Sequence, residues 1–122
     1  MKIRKRLLMV DDDPDMGEFV RAVAEPLGYS VETYTVAVEF MAAMTNDDAD
    51  VIIVDVNMPK TDGIEMLTLL ASRGTRAKLY IMSGFDPGLR LAAFKLGEAH
   101  GLNMSGIIPK PVRANAIREM LA

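Results

Sequence analysis

The sequence contains no cysteine, no tryptophan and a single histidine, His100. Without cysteine the chain has neither a disulfide framework nor a thiolate metal site, which is usual in a reducing cytoplasm. A formal net charge of -3 argues against nucleic acid as a direct partner. The apolar segment Leu7–Val10, which follows a basic start, is too short for a signal peptide or a membrane span. We therefore expect a soluble, cytoplasmic protein with no membrane segment.

A chain of 122 residues is close to the commonest domain size, and we expect residues 1–122 to form one domain. Short apolar runs alternate with helical patterns along the chain, as in sheets whose strands are buried on both faces. This alternation predicts an α/β fold with a doubly wound, five-stranded parallel sheet and helices on both faces. The predicted strands are Leu7–Val10, Val31–Tyr34, Val51–Val54, Lys78–Met82 and Gly106–Ile108.

Apolar residues at helical spacing predict a helix after each strand. Asp13 and Pro14 are typical of a helix start, and Gly28, which follows Pro26, is typical of a helix end. A loose connection is expected over Gly97–Ser105. The predicted helices run from Pro14 to Leu27, from about Val38 to near Asn46–Asp48, from Ile64 to Arg73, from Pro87 to Leu96 and from Val112 to the C-terminus.

Polar residues follow four of the predicted strands: Asp11 and Asp12, then Asp55, Ser83 and Lys110. Because the carboxyl ends of parallel strands lie at one edge of a sheet, these side chains should meet there. Clustered carboxylates raise one another's pKa unless a cation lies between them, and Mg²⁺ is the cation that suits oxygen ligands of this kind. A metal-bound carboxylate beside an ammonium group and a hydroxyl is suited to accept a phosphoryl group.

With these residues the chain resembles the receiver domain of two-component response regulators over essentially its whole length. The resemblance rests on Val10-Asp-Asp12, on Asp55-Val-Asn-Met-Pro-Lys-Thr-Asp-Gly63, on Ser83-Gly84 and on Lys110-Pro111. It implies a flavodoxin-like sheet with the strand order 2-1-3-4-5. The implied function is Mg²⁺-dependent acceptance of a phosphoryl group from a histidine kinase or phosphotransfer protein, which then switches an output surface.

The resemblance also implies a role for each residue of the acidic set. Asp55 corresponds to the phosphoacceptor. Asp12 corresponds to the direct Mg²⁺ ligand, and Asp11 to a residue that acts mostly through water. Asn57 would contribute its main-chain carbonyl to the metal.

Ser83 and Lys110 correspond to the family's switch hydroxyl and phosphate-pairing lysine. Ile107 stands where the family often has an aromatic residue that turns inward on phosphorylation, so a switch based on such a ring is not expected. The segment between Ser83 and Lys110 is longer than in most receivers, with the excess around Leu96–Asn103. A similar segment occurs in receivers attached to EAL-type cyclic-di-GMP phosphodiesterase domains, which makes such an output domain one option.

The resemblance implies an output domain in cis or a partner protein in trans, and it allows a phosphorylation-dependent homodimer. It also implies a self-catalysing switch more than a metabolic enzyme.

Two alternative functions stay open. A phosphatase with an aspartyl-phosphate intermediate typically has a second acid two residues after its nucleophile, where this chain has Asn57, and also a cap over the substrate. The other alternative is an interaction module that keeps the fold without being phosphorylated.

Overall fold

The computed structural model describes residues 4–44, 49–58, 63–84 and 87–122. The strands in these residues are β1 (Lys5–Val10), β2 (Tyr29–Tyr34), β3 (Val51–Asp55), β4 (Lys78–Ser83) and β5 (Asn103–Pro109). They form a five-stranded parallel sheet in the order β2-β1-β3-β4-β5. The predicted fold class and the strand order implied by the family resemblance are both confirmed.

The sheet is apolar on both faces because successive side chains of a strand point to opposite sides. Leu8 and Val10 of β1 belong to one buried cluster, whereas Leu7 and Met9 belong to the other. The residues of β3 are all buried, and its four apolar residues divide between the clusters in the same way. Each fully buried leucine or isoleucine stabilises the fold by about 1.5–3 kcal/mol. A shift of the register by one residue would exchange the two faces, so this pattern determines the register.

The helices in the described residues are α1 (Pro14–Ala24), α2 (Ala37–Ala43), α3 (Gly63–Ser72), α4 (Pro87–Ala99) and α5 (Ala114–Leu121). Helices α1 and α5 cover one face of the sheet through residues such as Val20 and Ile117. Helices α2, α3 and α4 cover the other face through Phe40, Leu67 and Ala93. None of the helices in the described ranges is both long and apolar enough to cross a membrane.

The predicted signals at both ends of the first helix act as expected. Asp13 is the N-cap of α1, where its side chain accepts a hydrogen bond of 2.9 Å from the main-chain amide of Asp15. Pro26 lies in a short 3₁₀ turn (Glu25–Leu27) that follows α1, so the regular helix ends before the predicted Leu27. Gly28 then adopts a φ of 98°, a left-handed conformation that favours glycine.

The predicted connection before the fifth strand is wrong in its bounds. Helix α4 and strand β5 both extend into Gly97–Ser105, and β5 is longer than the predicted Gly106–Ile108. Gly97 lies within α4 and does not end it, and a Cβ at this position would collide with the side chain of Met104. The glycine therefore allows the helix to lie directly against the strand, a role that cannot be distinguished from a helix end by sequence.

Other boundaries move by a few residues. Helix α5 begins after the predicted Val112, because the chain is still extended at Arg113. Strand β2 begins at Tyr29 and not at Val31, because its first residues still pair with β1. The predicted end of the second helix near Asn46–Asp48 lies outside the described residues.

Gly63 opens α3 immediately beside Val56, the residue that follows Asp55. A Cβ at position 63 would lie 2.6 Å from the Cα of Val56. We expect Gly63→Ala to lower the free energy of unfolding by about 1–3 kcal/mol, because main chain has to move to accommodate the methyl group. Urea denaturation measures this loss.

Gly97→Ala is the matched control, since it is also a glycine-to-alanine change within a helix. The three atoms nearest to its added methyl group all belong to the Met104 side chain, which has to turn aside. Alanine also gains about 1 kcal/mol of helix propensity over glycine, which offsets part of that cost, so we expect a smaller loss of stability than in Gly63→Ala. Equal losses of stability in the two variants would contradict this interpretation.

Candidate functional site

The carboxyl ends of four strands bring polar side chains to one edge of the sheet. Asp11 directly follows β1, Asp55 is the last residue of β3, Ser83 is the last residue of β4, and Lys110 follows β5. The main-chain amide of Lys110 donates a hydrogen bond of 2.9 Å to the carbonyl of Ser83, which extends the strand pairing up to the site. Residues that are distant in sequence thus lie side by side.

Three carboxyl groups form an acidic cluster at this edge. One oxygen from each of Asp11, Asp12 and Asp55 lies within 4.8 Å of the others. Asp11 and Asp55 are buried, at 2% and 1% exposure, whereas Asp12 is open to solvent. Buried and exposed carboxylates at this spacing could hold a hard divalent cation that keeps part of its water shell.

Lys110 is the cation that the described residues supply to the cluster. Its Nζ lies 3.2 Å from Oδ2 of Asp55 and 3.1 Å from Oδ2 of Asp11. The first contact is a hydrogen bond. The second is a charge contact without hydrogen-bond geometry, so the buried Oδ2 of Asp11 accepts no hydrogen bond from the described residues. This oxygen therefore has capacity for a metal ion or for a water molecule bound to one.

The Asp11 carboxyl is difficult to ionise in this position. Burial raises its pKa from 3.8 to about 6, and the neighbouring charge of Asp55 adds to the rise. The main-chain amide of Asp13, which donates a hydrogen bond of 2.9 Å to Oδ1 of Asp11, partly opposes the shift together with Lys110. A bound cation would favour the ionised form, so the donor set fits a divalent cation.

The Lys110 ammonium is favoured by the same surroundings. Burial lowers its pKa, but the two carboxyl groups of Asp11 and Asp55 outweigh that effect and raise the pKa above its ordinary value. The side chain therefore carries its charge at neutral pH. It can neutralise negative charge that develops on or near Asp55.

The Ser83 hydroxyl makes no hydrogen bond to the acidic cluster among the described residues. Its hydroxyl donates a hydrogen bond of 2.7 Å to Oδ1 of Asn57, and the main-chain amide of Gly84 donates a second one of 2.8 Å to the same oxygen. The main-chain amide of Asn57 in turn donates to Oδ1 of Asp55 at 2.8 Å. Asn57 thus connects the end of β3 to the end of β4.

The side chain of Asn57 is the feature that sequence reasoning missed, since the resemblance implies only a main-chain role for this residue. The bond to Ser83 joins residues 26 positions apart, and no spacing rule predicts it. Ile107 lies outside the cluster on β5, opposite Ile81, with 37% of its surface exposed. Of the segment Asp55–Gly63, residues 59–62 lie outside the described residues.

Known proteins resemble this chain over most of its length. The family profile described as "Response regulator receiver domain" matches residues 7–122. The "Response regulator MprA" of Mycobacterium leprae (strain TN) is 32% identical over 118 residues, which cover 96% of this chain and 48% of that protein. The chain therefore spans about half the length of the curated relatives it matches.

Solved structures agree with this match. The crystal structure of a response regulator from Colwellia psychrerythraea has a TM-score of 0.85 and 30% identity, and the match covers 98% of this chain and 94% of that one. The chemotaxis response regulator CheY4 of Vibrio cholerae has a TM-score of 0.79 and 26% identity, with 98% and 97% covered. Both likenesses extend over nearly the whole of the chain.

Proposed function

Because this chain belongs to the response regulator receiver domain family, we propose that Asp55 accepts a phosphoryl group from a phosphohistidine of a partner protein. An oxygen of the Asp55 carboxylate forms the new P–O bond as the P–N bond of the donor breaks. The donor imidazole keeps the electron pair of that bond and takes up a proton. The product is an acyl phosphate on Asp55.

The observation that supports this proposal most strongly is the environment of Asp55. Its carboxylate is buried, accepts a hydrogen bond from the main-chain amide of Asn57 on one oxygen, and contacts Lys110 on the other. It is thus held in one orientation with its charge compensated. Phosphoryl transfer requires mainly such positioning and neutralisation of charge.

Asp11 and Asp12 would hold Mg²⁺, together with Asp55 and the main-chain carbonyl of Asn57. The fit rests on the cluster of three carboxyl groups and on the buried Oδ2 of Asp11, which lacks a hydrogen bond from the described residues. When bound, Mg²⁺ would supply positive charge that offsets the charge of the carboxylates and of the phosphoryl oxygens. Lys110 would contribute an ammonium as a second source of positive charge, since it already contacts Asp11 and Asp55.

Ser83 would donate its hydroxyl hydrogen bond to a phosphoryl oxygen after transfer, and Lys110 would pair with another. Both residues lie at strand ends that are joined by a main-chain hydrogen bond. A change at Ser83 can therefore be transmitted to β4 and β5. A response of this kind shifts a two-state surface on the adjoining elements.

The partners follow from the family. A histidine kinase or phosphotransfer protein would supply the phosphoryl group, and an output domain in cis or a partner in trans would read the switch. Residues 1–122 would act as one receiver unit in the cytoplasm, as a phosphoacceptor switch and not as a metabolic enzyme. An EAL-type output and a phosphorylation-dependent homodimer both remain predictions.

The proposed function is tested by incubating the protein with acetyl phosphate and Mg²⁺. We expect the intact mass to increase by one phosphoryl group, and the increase to disappear when a chelator removes Mg²⁺. Borohydride reduction followed by peptide mapping should place the modification at position 55. A protein that stays unmodified and also fails to bind beryllium fluoride would support the non-phosphorylated interaction module. Continuous turnover of a small phosphate ester would support the phosphatase.

A further inference from the structure

The amide oxygen of Asn57 accepts two hydrogen bonds from consecutive residues of another loop. The Ser83 hydroxyl approaches it to 2.7 Å and the Gly84 main-chain amide to 2.8 Å. The orientation of the Asn57 amide group is determined by the second contact, because a main-chain N–H can only donate and must face oxygen. The Ser83 hydroxyl, which faces the same oxygen, is then also the donor.

These contacts occupy two donors that stand at the end of β4, beside the phosphoacceptor. A serine hydroxyl has a single proton to donate, and a main-chain amide also has one. While both donate to Asn57, neither can donate to a phosphoryl oxygen. The Ser83 side chain is fully buried, so solvent does not compete for its hydroxyl.

We propose that the Asn57 side chain is a positioning residue that holds the Ser83 hydroxyl and the Gly84 amide until a phosphoryl group on Asp55 takes over both donors. This inference rests on the proposed phosphoacceptor role of Asp55. It assigns to the Asn57 side chain a function that is separate from that of its main-chain carbonyl. The exchange breaks two hydrogen bonds to Asn57 and forms two to phosphoryl oxygens.

The exchange also alters how two loops are joined. Asn57 follows β3, whereas Ser83 and Gly84 belong to the end of β4, and the two contacts to Oδ1 tie these segments together at their tips. When both donors move to the phosphoryl group, the hydrogen bonds to Asn57 are lost and new ones form to the phosphoryl oxygens on Asp55. The resting contact therefore opposes activation, and its removal should favour the activated state.

Asn57→Ala tests the proposal because alanine keeps the main-chain amide and carbonyl and removes only the side-chain acceptor. The measurement is a titration with beryllium fluoride in saturating Mg²⁺, which forms a stable mimic of the aspartyl phosphate. We expect Asn57→Ala to bind about 3- to 10-fold more tightly than wild type, since two resting hydrogen bonds no longer have to be broken. Asn115→Ala, an exposed asparagine at the start of α5, is the control and should bind like wild type.

A double-mutant comparison separates this role from general loosening of the site. If the Asn57 side chain acts through the Ser83 hydroxyl, its removal should matter less once that hydroxyl is gone. In a Ser83→Ala background we expect Asn57→Ala to change the affinity for beryllium fluoride by no more than about 2-fold. This remaining effect would come from the hydrogen bond between the Gly84 amide and Asn57. An equal gain in both backgrounds would overturn the proposal.

The NMR amide resonance of Gly84 reports on its hydrogen bond to Asn57 in the absence of a phosphoryl group and of metal. In Mg²⁺-free protein, Asn57→Ala should move the Gly84 amide proton upfield and accelerate its exchange with solvent, and Asn115→Ala should do neither. An unmoved Gly84 resonance, or an Asn57→Ala affinity equal to or below that of wild type, would overturn the inference while leaving the phosphoacceptor role intact. Failure of the wild-type protein itself to bind beryllium fluoride would instead overturn the proposed function, and this inference with it.

Discussion

Replacing Asp55 with alanine is expected to abolish uptake of a phosphoryl group from acetyl phosphate. The substitution removes the attacking oxygen, and loss of a nucleophile lowers such rates by at least about three orders of magnitude. The fold should persist, because Lys110 retains Asp11 as its partner at 3.1 Å. Intact-mass measurement after incubation with acetyl phosphate and Mg²⁺ provides the readout, and circular dichroism verifies folding.

The matched control is Asp50→Ala, which removes a carboxylate just before the amino end of the same strand. Asp50 accepts a hydrogen bond of 2.8 Å from the main-chain amide of Arg6 and lies outside the acidic cluster. The Asp50→Ala protein should be phosphorylated as completely as wild type. If Asp55→Ala were still modified, the acceptor would be another residue of the cluster, and peptide mapping would identify it.

Asp11→Asn is expected to stabilise the Mg²⁺-free protein at pH 7 while removing most of the stabilisation that Mg²⁺ provides. Burial raises the pKa of Asp11 from 3.8 to about 6, so the folded protein binds this proton more tightly than the unfolded chain. The corresponding contribution to stability falls as the pH rises from about 4 to about 6, and it is fully lost above that range. An uncharged asparagine avoids the cost, and we expect a gain of about 1–2 kcal/mol in the free energy of unfolding.

Urea denaturation at pH 4 and pH 7, with and without Mg²⁺, tests this prediction. The gain in Asp11→Asn should vanish at pH 4, where Asp11 of the wild type is protonated in the folded state. With Mg²⁺ at 100 times its dissociation constant the wild type gains about 2.7 kcal/mol, which should make it the more stable protein. Asp12→Asn is the control for the Mg²⁺-free gain, since an exposed carboxylate has no burial cost to remove. A wild type that is more stable than Asp11→Asn at pH 7 without Mg²⁺ would contradict the prediction.

Much of the fold could be predicted because the relevant information is local. The alternation of buried strands and amphipathic helices gave the α/β class, and Asp13 and Pro14 correctly marked the start of α1. The errors occur where a residue has two structural uses. Gly97 resembles a helix end in sequence, but in the structure it allows α4 to pack against Met104.

The order of the strands was not available from periodicity and came from the resemblance to a family. Hydrophobic patterns describe which faces of an element are buried, but they do not say which strand lies beside which. Right-handed crossovers reduce the options without leaving a single one. The observed order places β3 in the middle, so that Asp55 lies between the ends of β1 and β4.

The sequence by itself determined which chemical groups lie at the sheet edge, because four of the five strands carry a polar residue at their carboxyl ends and parallel strands share that edge. Only the tertiary structure decided how these groups pair. Lys110 contacts two carboxylates at once, burial raises the pKa of Asp11, and Asn57 holds the Ser83 hydroxyl. Such contacts depend on distances between side chains that lie on different strands and on the exclusion of water around them. Neither property is encoded in the spacing of residues along the chain.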